Sequence, residues 1–125
     1  MKTIHTDKAP AAVGPYSQAI AANGVLYLSG QIAIDPAEGK IVAQDIEGQA
    51  EQCCRNVEAV LAEAGTDMDS VVKTTCFLAD IRDFQAFNAV YAKHFVSKPA
   101  RSCVAAAALP AGALCEIEVI AVPEG

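Results

Sequence analysis

Apolar residues recur along this chain with two different periods, and each period predicts one kind of secondary structure. Over residues 45–64 they return every three or four positions, which is typical of a helix with one buried face. A second stripe with this spacing follows Asp80, a residue suited to cap a helix start, and this helix is expected to end before Pro99. The stripe consists of Phe84, Phe87, Tyr91 and Phe95. We interpret it as a face that packs on a core.

The remaining apolar runs are short, and several are rich in β-branched residues, which is typical of strands. They cover residues 17–22, 25–32, 70–78, 101–109 and 115–122. The first two runs are separated by Asn23-Gly24, a pair that favours a tight hairpin because a type I′ turn needs positive φ at both positions. The order β-β-α-β-α-β-β predicts a single α+β domain over residues 1–125, with a mixed sheet and two helices packed on one face.

The face of this sheet that lies opposite the helices has an unusual composition. Alternation in the last predicted strand puts three residues on this face: Glu116, Glu118 and Ile120. Together with Ala105 and Ala107, Ile120 makes the face more apolar than a sheet surface in water usually is. We therefore expect another subunit of the same chain to cover it.

The composition is that of a compact globular protein, with 53% hydrophobic and 19% charged residues. No apolar run reaches the roughly 18 residues that a membrane span needs, and the first residues lack the apolar core of a signal peptide. We therefore expect a cytoplasmic protein with no membrane partner. A net charge of −6, with only nine Lys and Arg residues, argues against a nucleic acid partner, because a phosphate backbone usually needs a basic face.

Five cysteines and two histidines are the candidate soft metal ligands of the chain. The odd cysteine count, the lack of a CxxC pair and the separation of the histidines argue against a disulfide framework or a zinc site. We expect four of the cysteines to be buried, reduced thiols. The sequence also lacks a glycine-rich phosphate loop, a dinucleotide fingerprint, HExxH and GxSxG, so we expect a reaction without cofactor or metal.

Three groups that could do chemistry lie near the starts of the last two predicted strands. The guanidinium of Arg101 suits bidentate binding of a carboxylate, although a surface arginine more often forms an ordinary salt bridge. Glu116 is either an exposed strand residue or a partly buried acid with a raised pKa suited to proton transfer. Cys103 is better explained as pocket lining than as a nucleophile, because no base is linked to it in sequence. If the two strands are neighbours, the three groups meet at one cleft.

Four further residues are candidates for shaping a pocket. Tyr16 follows a Gly-Pro pair and either anchors the first strand or forms an aromatic lid. Ser29 and Gly30 lie near the end of a predicted strand, where the glycine either permits close approach of a ligand or another chain, or marks a bulge. Asn88 is an amide beside the aromatic stripe, so it either points into a pocket or caps nearby backbone.

Six segments resemble, in chain order, those of the RidA/YjgF family: GPYSQAI, LYLSGQI, FNAVY, PARSCV, LPAGA and EIEVIAV. The resemblance spans nearly the whole chain. It implies a chorismate-mutase-like fold, and a homotrimer with active sites at the subunit interfaces. It also implies an enamine or imine deaminase that hydrolyses 2-aminoacrylate and related 2-imino acids released by pyridoxal-phosphate enzymes. Residues 106–108, which carry no charge, and the short connection before Pro99 depart from some members.

Residue by residue, the resemblance implies that Arg101 binds the substrate carboxylate and that Glu116 orients or activates the attacking water. Backbone groups at Cys103 and Gly30 would contact the substrate. The pocket would be shaped by Tyr16, Ser29 and Asn88. An imino acid already carries an electrophilic carbon, so its hydrolysis to a 2-oxo acid and ammonia needs positioned water and proton transfer rather than a metal or a covalent step.

Two other functions are compatible with the same sequence. Some relatives of the family are described as ribonucleases and translation inhibitors, so an RNA-directed activity is the alternative, although the acidic charge and the lack of a basic, aromatic face weigh against it. A ligand-binding or holdase module without turnover is the third hypothesis, because one fold supports several functions.

Overall fold

The computed structural model describes residues 1–124, and within them eight strands and two α-helices follow one another along the chain. The strands are β1 (Lys2–Ile4), β2 (Ala19–Ala22), β3 (Val25–Gln31), β4 (Ile34–Asp35), β5 (Lys40–Ile41), β6 (Val71–Leu78), β7 (Ala100–Ala105) and β8 (Cys115–Ala121). The helices are α1 (Ile46–Glu63), between β5 and β6, and α2 (Phe84–His94), between β6 and β7. None of the described helices is long and apolar enough to cross a membrane.

Six of these strands form one mixed sheet in the order β1-β2-β3-β8-β6-β7, and both helices pack on the same side of it. Neighbouring strands are antiparallel except β6 and β7, which are parallel because the crossover through α2 returns the chain to the same end of the sheet. β4 and β5 form a separate short hairpin. The predicted α+β architecture is confirmed, and the short strands β1, β4 and β5 are added to the predicted order.

The last two strands of the chain are not neighbours, so the hypothesis that residues 101–109 and 115–122 pair with each other is wrong. β6 lies between them, because the α2 crossover delivers β7 to the edge of the sheet while β8 fills the gap between β3 and β6. β7 also ends before the predicted position. The connection to β8 contains a 3₁₀ turn at Pro110–Gly112, where Ala111 has a φ of 58° that no strand residue adopts.

The connection between β2 and β3 is the tight turn that the sequence predicts. Asn23 and Gly24 have φ values of 53° and 77°, in the left-handed region that this pair tolerates. Ala22 and Val25 pair directly across the two residues. The turn sets the register of β3, and therefore the position of the later part of this strand relative to β8.

Helix α1 has the start and the end that its sequence indicates. The side chain of Asp45 accepts a hydrogen bond of 2.9 Å from the backbone N–H of Gly48, and Gly65 follows the last turn with a φ of 83°. The face toward the sheet carries fully buried side chains such as Val57 and Leu61. Each such side chain contributes roughly 1.5–3 kcal/mol through removal of apolar surface from water.

Helix α2 begins after a 3₁₀ turn that Asp80 caps, and it ends at His94, ahead of Pro99 as predicted. Three members of its aromatic stripe are buried in the core, as expected: Phe87, Tyr91 and Phe95. Phe84, the first member, is 36% exposed and lies at the edge of the core. The ring nitrogens of His94 make hydrogen bonds of 2.8 Å and 2.7 Å with Glu51 and Glu58, which join the end of α2 to α1.

The sheet has one face against the helices and one face without a helix, which we call the open face. Along β8, Ile117 and Val119 point into the core, whereas Glu116 and Glu118 point to the open face, as the alternation predicts. The open face also carries large apolar side chains that are about half exposed. These are Tyr27, Val72 and Val104. A surface of this composition is typical of one that contacts another protein.

Candidate functional site

A cavity of about 410 Å³ opens between β3, β8 and the loop that precedes β2. Four of the predicted site residues line it: Tyr16, Ser29, Gly30 and Glu116. One wall is apolar and includes Val13, Ile32 and Pro110. We call this space the Glu116 cavity. Its polar end and its apolar wall would suit a small organic molecule with one reactive polar group.

Gly30 gives the Glu116 side chain its place in the cavity. Between the pairs Leu28–Val119 and Gln31–Ile117 the register of β3 shifts against β8, so β3 contains the bulge that was one of the two expectations for this glycine. A Cβ atom at Gly30 would lie 2.8 Å from the Glu116 Cδ atom and would meet its carboxylate. The space beside Gly30 is therefore occupied by the Glu116 side chain of the same chain.

The surroundings of Glu116 raise the pKa of its carboxyl group above the ordinary value. Burial raises its pKa, and the negative charge of Glu118, two residues along the same face, raises it further. A half-buried carboxyl group of this kind can take a proton from water and return it within one reaction cycle.

Ser29 and Tyr16 hold the rim of the Glu116 cavity together. The Ser29 hydroxyl donates a hydrogen bond of 2.6 Å to the carbonyl of Ser17, and its backbone N–H donates one of 2.9 Å to the carbonyl of Gln18. The hydroxyl of Tyr16 accepts a bond of 3.4 Å from the backbone N–H of Val13. Tyr16 is half exposed at this rim.

Gln18 is a cavity residue that the sequence reasoning missed. Its side chain is 3% exposed, and its Nε2 donates to the carbonyls of Thr6 and Pro10 at 3.0 and 2.8 Å. Its Oε1 accepts a bond of 2.7 Å from the backbone N–H of Thr6. The amide thus ties the N-terminal loop to the start of β2. The signal in the sequence is an amide within an apolar run, which must satisfy its polar atoms when buried.

Arg101 and Asn88 do not line the Glu116 cavity. The Nη1 atom of Arg101 donates a hydrogen bond of 2.8 Å to Oδ1 of Asn88. The guanidinium carbon of Arg101 lies 4.7 Å from the ring centre of Tyr91 and 5.6 Å from that of Phe84. A second cavity of about 440 Å³ is lined by Arg101, Asn88, Tyr91 and Lys98. Two cations at this cavity would suit an anionic group of a ligand.

One chain does not bring Arg101 and Glu116 together. Arg101 pairs in register with Thr74, which is buried on the helix side of β6, so Arg101 points to that side. Glu116 pairs with Phe77, at the opposite parity of β6, and points to the open face. The condition for one cleft, that the two strands are neighbours, is not met in one chain, because an intervening strand and the alternation of side chains separate the two groups.

Cys103 lines neither of these two cavities and lies beside Cys76 in the register of β6 and β7. Burial raises the pKa of the Cys103 thiol, although the nearby charge of Arg101 partly opposes this. The thiol form therefore predominates near neutral pH, which disfavours a nucleophilic role. All five cysteines are free and four are buried, as expected. Within residues 1–124, no group of three or more His, Cys, Asp or Glu side chains is placed to hold a metal ion.

Comparison with known proteins identifies the family. A family model described as endoribonuclease L-PSP matches residues 6–123. The chain is 53% identical over 125 residues to a RutC family protein of Synechocystis sp., which covers 98% of this chain and 96% of that protein. It is 47% identical over 122 residues to the 2-iminobutanoate/2-iminopropanoate deaminase of Mus musculus, which covers 97% of this chain and 90% of the mouse protein.

Solved structures agree with this comparison. The crystal structure of YyfA from Yersinia pestis, a protein of the conserved Rid family, is similar with a TM-score of 0.94 and 52% sequence identity, and the match covers 98% of each chain. The likeness therefore extends over the sheet, both helices and the loops around the Glu116 cavity. The chain belongs to the RidA/YjgF family, as its sequence motifs predict.

Proposed function

We propose that this protein hydrolyses reactive 2-imino acids and their enamine tautomers, such as 2-iminobutanoate and 2-aminoacrylate, to 2-oxo acids and ammonia. The observation that carries the proposal is the Glu116 carboxyl group, which has a raised pKa and lies over Gly30 in a cavity with an apolar wall. The similarity to a protein named as a 2-imino acid deaminase supports the same reaction.

In the proposed reaction, Glu116 orients a water molecule and accepts one of its protons while the water oxygen attacks the imine carbon. The tetrahedral adduct then carries a hydroxyl and an amino group on one carbon. To form that amino group, Glu116 passes the water proton to the imine nitrogen. Glu116 then takes the hydroxyl proton and passes it to the same nitrogen, the C–N bond breaks, the hydroxyl oxygen becomes the carbonyl oxygen, and ammonia leaves. Water and imine are consumed in equal amounts, and no bond to the protein forms. The Cys103 thiol therefore contributes as part of the strand that carries Arg101 rather than as a nucleophile.

In this proposal the substrate carboxylate binds to Arg101. Since Arg101 and Glu116 face opposite sides of the sheet, the complete site would combine Glu116 of one copy with Arg101 of another. The half-exposed apolar residues of the open face support an assembly of copies through that face, and we propose the homotrimer that the family resemblance implies. The remaining site residues, Tyr16, Ser29, Gly30 and Asn88, would shape the two halves of each site.

The test is a trapping assay. A dehydratase generates 2-aminoacrylate or 2-iminobutanoate in solution, and semicarbazide traps the imine that remains. The protein should accelerate loss of the trappable species, and Arg101→Ala should abolish the acceleration while size-exclusion chromatography gives the wild-type oligomer. If wild-type protein leaves the rate of loss unchanged for both substrates, the proposed function is wrong.

The second candidate is an RNA-directed activity, which the description of the matching family model favours. The net charge of −6 weighs against it, because binding to a phosphate backbone depends on basic residues. RNA affinity measured across a salt series separates the two functions. Tight binding with a steep salt dependence would reverse the ranking. A module without turnover is distinguished by Glu116→Gln, which would leave ligand affinity intact with no rate to lose.

A further inference from the structure

Three residues of α2 converge on the guanidinium of Arg101. Phe84, Asn88 and Tyr91 occupy positions i, i+4 and i+7 of the helix, so they lie on one face. Asn88 accepts the hydrogen bond from Nη1, and the two rings lie 5.6 Å and 4.7 Å from the guanidinium carbon. We call these three residues the arginine cradle.

Contacts with residues other than Arg101 hold the Tyr91 ring in position. Its hydroxyl is 2.7 Å from Oγ1 of Thr74, a fully buried residue of β6. Its ring stacks on that of Phe95, with 4.3 Å between ring centres. Thr74 is also the register partner of Arg101 on β7. The hydroxyl bond therefore places the Tyr91 ring beside the strand position from which Arg101 extends.

The edge position of β7 explains why Arg101 needs such contacts. Within residues 1–124, β7 pairs only with β6, so its other flank has no strand to restrict the side chains. An arginine side chain has several rotatable bonds, and a ligand that orders it must offset the lost rotamer freedom. Contacts that order the side chain in the free protein remove that cost from binding.

We propose that the arginine cradle holds the guanidinium of Arg101 in position for bidentate binding of a carboxylate, and that Tyr91 is its main positioning residue. Asn88 engages one of the five N–H donors, and the ring centres of Phe84 and Tyr91 lie 5.6 Å and 4.7 Å from the guanidinium carbon, so a ligand carboxylate can bind the remaining donors. The aromatic stripe of α2 thus serves binding as well as the core. The inference rests on the proposed function for the identity of the carboxylate ligand.

The test compares Tyr91→Leu with Phe87→Leu, since both variants remove one buried ring of α2 and only Tyr91 contacts Arg101. Isothermal titration with 2-oxobutanoate measures carboxylate affinity, and the trapping assay measures KM and kcat. Tyr91→Leu should raise Kd and KM by about tenfold, as expected for a cation–π contact on a partly desolvated ring. Its kcat should stay near the wild-type value. Phe87→Leu should lower Tm and leave Kd unchanged.

Two conservative variants keep the test valid if Tyr91→Leu folds poorly. Tyr91→Phe keeps the ring and its stacking on Phe95 but loses the hydroxyl bond to Thr74, so it should weaken binding less than Tyr91→Leu does. Phe84→Leu changes only a partly exposed ring and should weaken binding by a few-fold. In protein that already carries Arg101→Lys, Tyr91→Leu should raise Kd by a smaller factor than it does in the wild type. Equal Kd values for Tyr91→Leu, Phe87→Leu and wild type would overturn the cradle.

The outcomes also separate the cradle from the proposed function. If no imine is turned over but Tyr91→Leu alone weakens 2-oxobutanoate binding, the deaminase proposal is wrong and the cradle stands. If turnover occurs and Tyr91→Leu behaves as Phe87→Leu does, only the cradle is wrong. If 2-oxobutanoate does not bind the wild type, a double-mutant cycle on stability with Tyr91→Leu and Arg101→Met decides, and zero coupling would overturn the cradle.

Discussion

Glu116 and Arg101 are held in place by different kinds of structure. Glu116 belongs to β8, a central strand that pairs with β3 on one side and β6 on the other. Arg101 belongs to β7, which lies at the edge of the sheet and pairs with β6. Backbone pairing on both sides fixes where a central-strand side chain starts, whereas a side chain on an edge strand has fewer neighbours.

The surroundings of the two charged groups follow from this difference. At Glu116 the structure provides space, because Gly30 lacks the Cβ atom that would meet the carboxylate. At Arg101 it provides contacts, through the hydrogen bond to Asn88 and the ring of Tyr91. We call the Glu116 cavity the Glu116 half of the proposed site, and Arg101 with the arginine cradle the Arg101 half. We therefore expect activity to be sensitive to strand geometry in the Glu116 half and to side-chain contacts in the Arg101 half.

The largest effect is expected for Glu116→Gln, which keeps the shape of the side chain and removes its ability to accept a proton. We expect kcat for imine hydrolysis to fall by about 10²- to 10⁴-fold, the usual contribution of a general acid–base group. Glu118→Gln is the control, because it lies in the same cavity and should retain most of the rate at neutral pH. A wild-type kcat for Glu116→Gln would contradict a catalytic role for this half.

Arg101→Lys should act on binding rather than on the chemical step. Lysine keeps the charge but loses the planar pair of N–H donors, and a hydrogen bond to a charged group contributes about 1.5–3 kcal/mol. We expect KM to rise by about 10- to 100-fold with a smaller change in kcat. Arg82→Lys is the control, because it makes the same replacement at an exposed arginine that pairs with the carboxylate of Asp80 outside the proposed site. Equal KM values for Arg101→Lys and Arg82→Lys would contradict a binding role for the Arg101 half.

Gly30→Ala tests whether space is what the Glu116 half requires. The new Cβ would displace the Glu116 carboxylate, a flexible group that can move, so the fold should survive while kcat falls by about tenfold or more. Gly24→Ala is the matched control: a Cβ added there would meet no atom within 4 Å apart from those of the adjacent residues, and the φ of 77° makes the change strained. This control should lower Tm and leave kcat unchanged. A normal kcat for Gly30→Ala would argue that the carboxylate position is not critical.

The sequence predicts the elements whose limits depend on residues close together in the chain. The period of three and four predicts α1, and the cap at Asp45 and Gly65 sets its limits. β1, β4 and β5 were missed because strands of two or three residues are too short to show alternation. The strand order could not be read from the sequence, since nothing local indicates that β8 pairs with both β3 and β6.

The same limit applies to the candidate site. A family resemblance names Arg101 and Glu116, but their separation on two faces depends on the registers of β7 and β8 against β6. The position of Gly30 under Glu116 likewise depends on a bulge in β3. Gln18 was missed because its role comes from hydrogen bonds to a loop that carries no pattern. Its sequence signal, one amide in an apolar run, is too weak to identify a function.

The smallest expected effect is a change in pH dependence in Glu118→Gln. Burial and the charge of Glu118 both raise the pKa of Glu116, and burial is the larger cause. Since Glu116 acts in its deprotonated form when it accepts the water proton, the rate should increase as pH rises through its pKa. Without the Glu118 charge the pKa of Glu116 falls, so the rising limb of kcat should move to lower pH, by less than the full shift because burial remains.

Glu118→Asp keeps the charge and should keep the limb near its wild-type position, which makes it the control for the change in charge. Above the limb, wild type and Glu118→Gln should agree within about twofold, because an exposed charge has a weak effect once Glu116 is ionised. Added salt should move the wild-type limb toward that of Glu118→Gln, since salt screens the interaction. No such shift is expected for the Arg101 half, where Arg101→Lys keeps a cation at every pH of the assay. If the rising limb of kcat against pH shifts in Arg101→Lys but not in Glu118→Gln, the rate follows ionisation of a group other than Glu116.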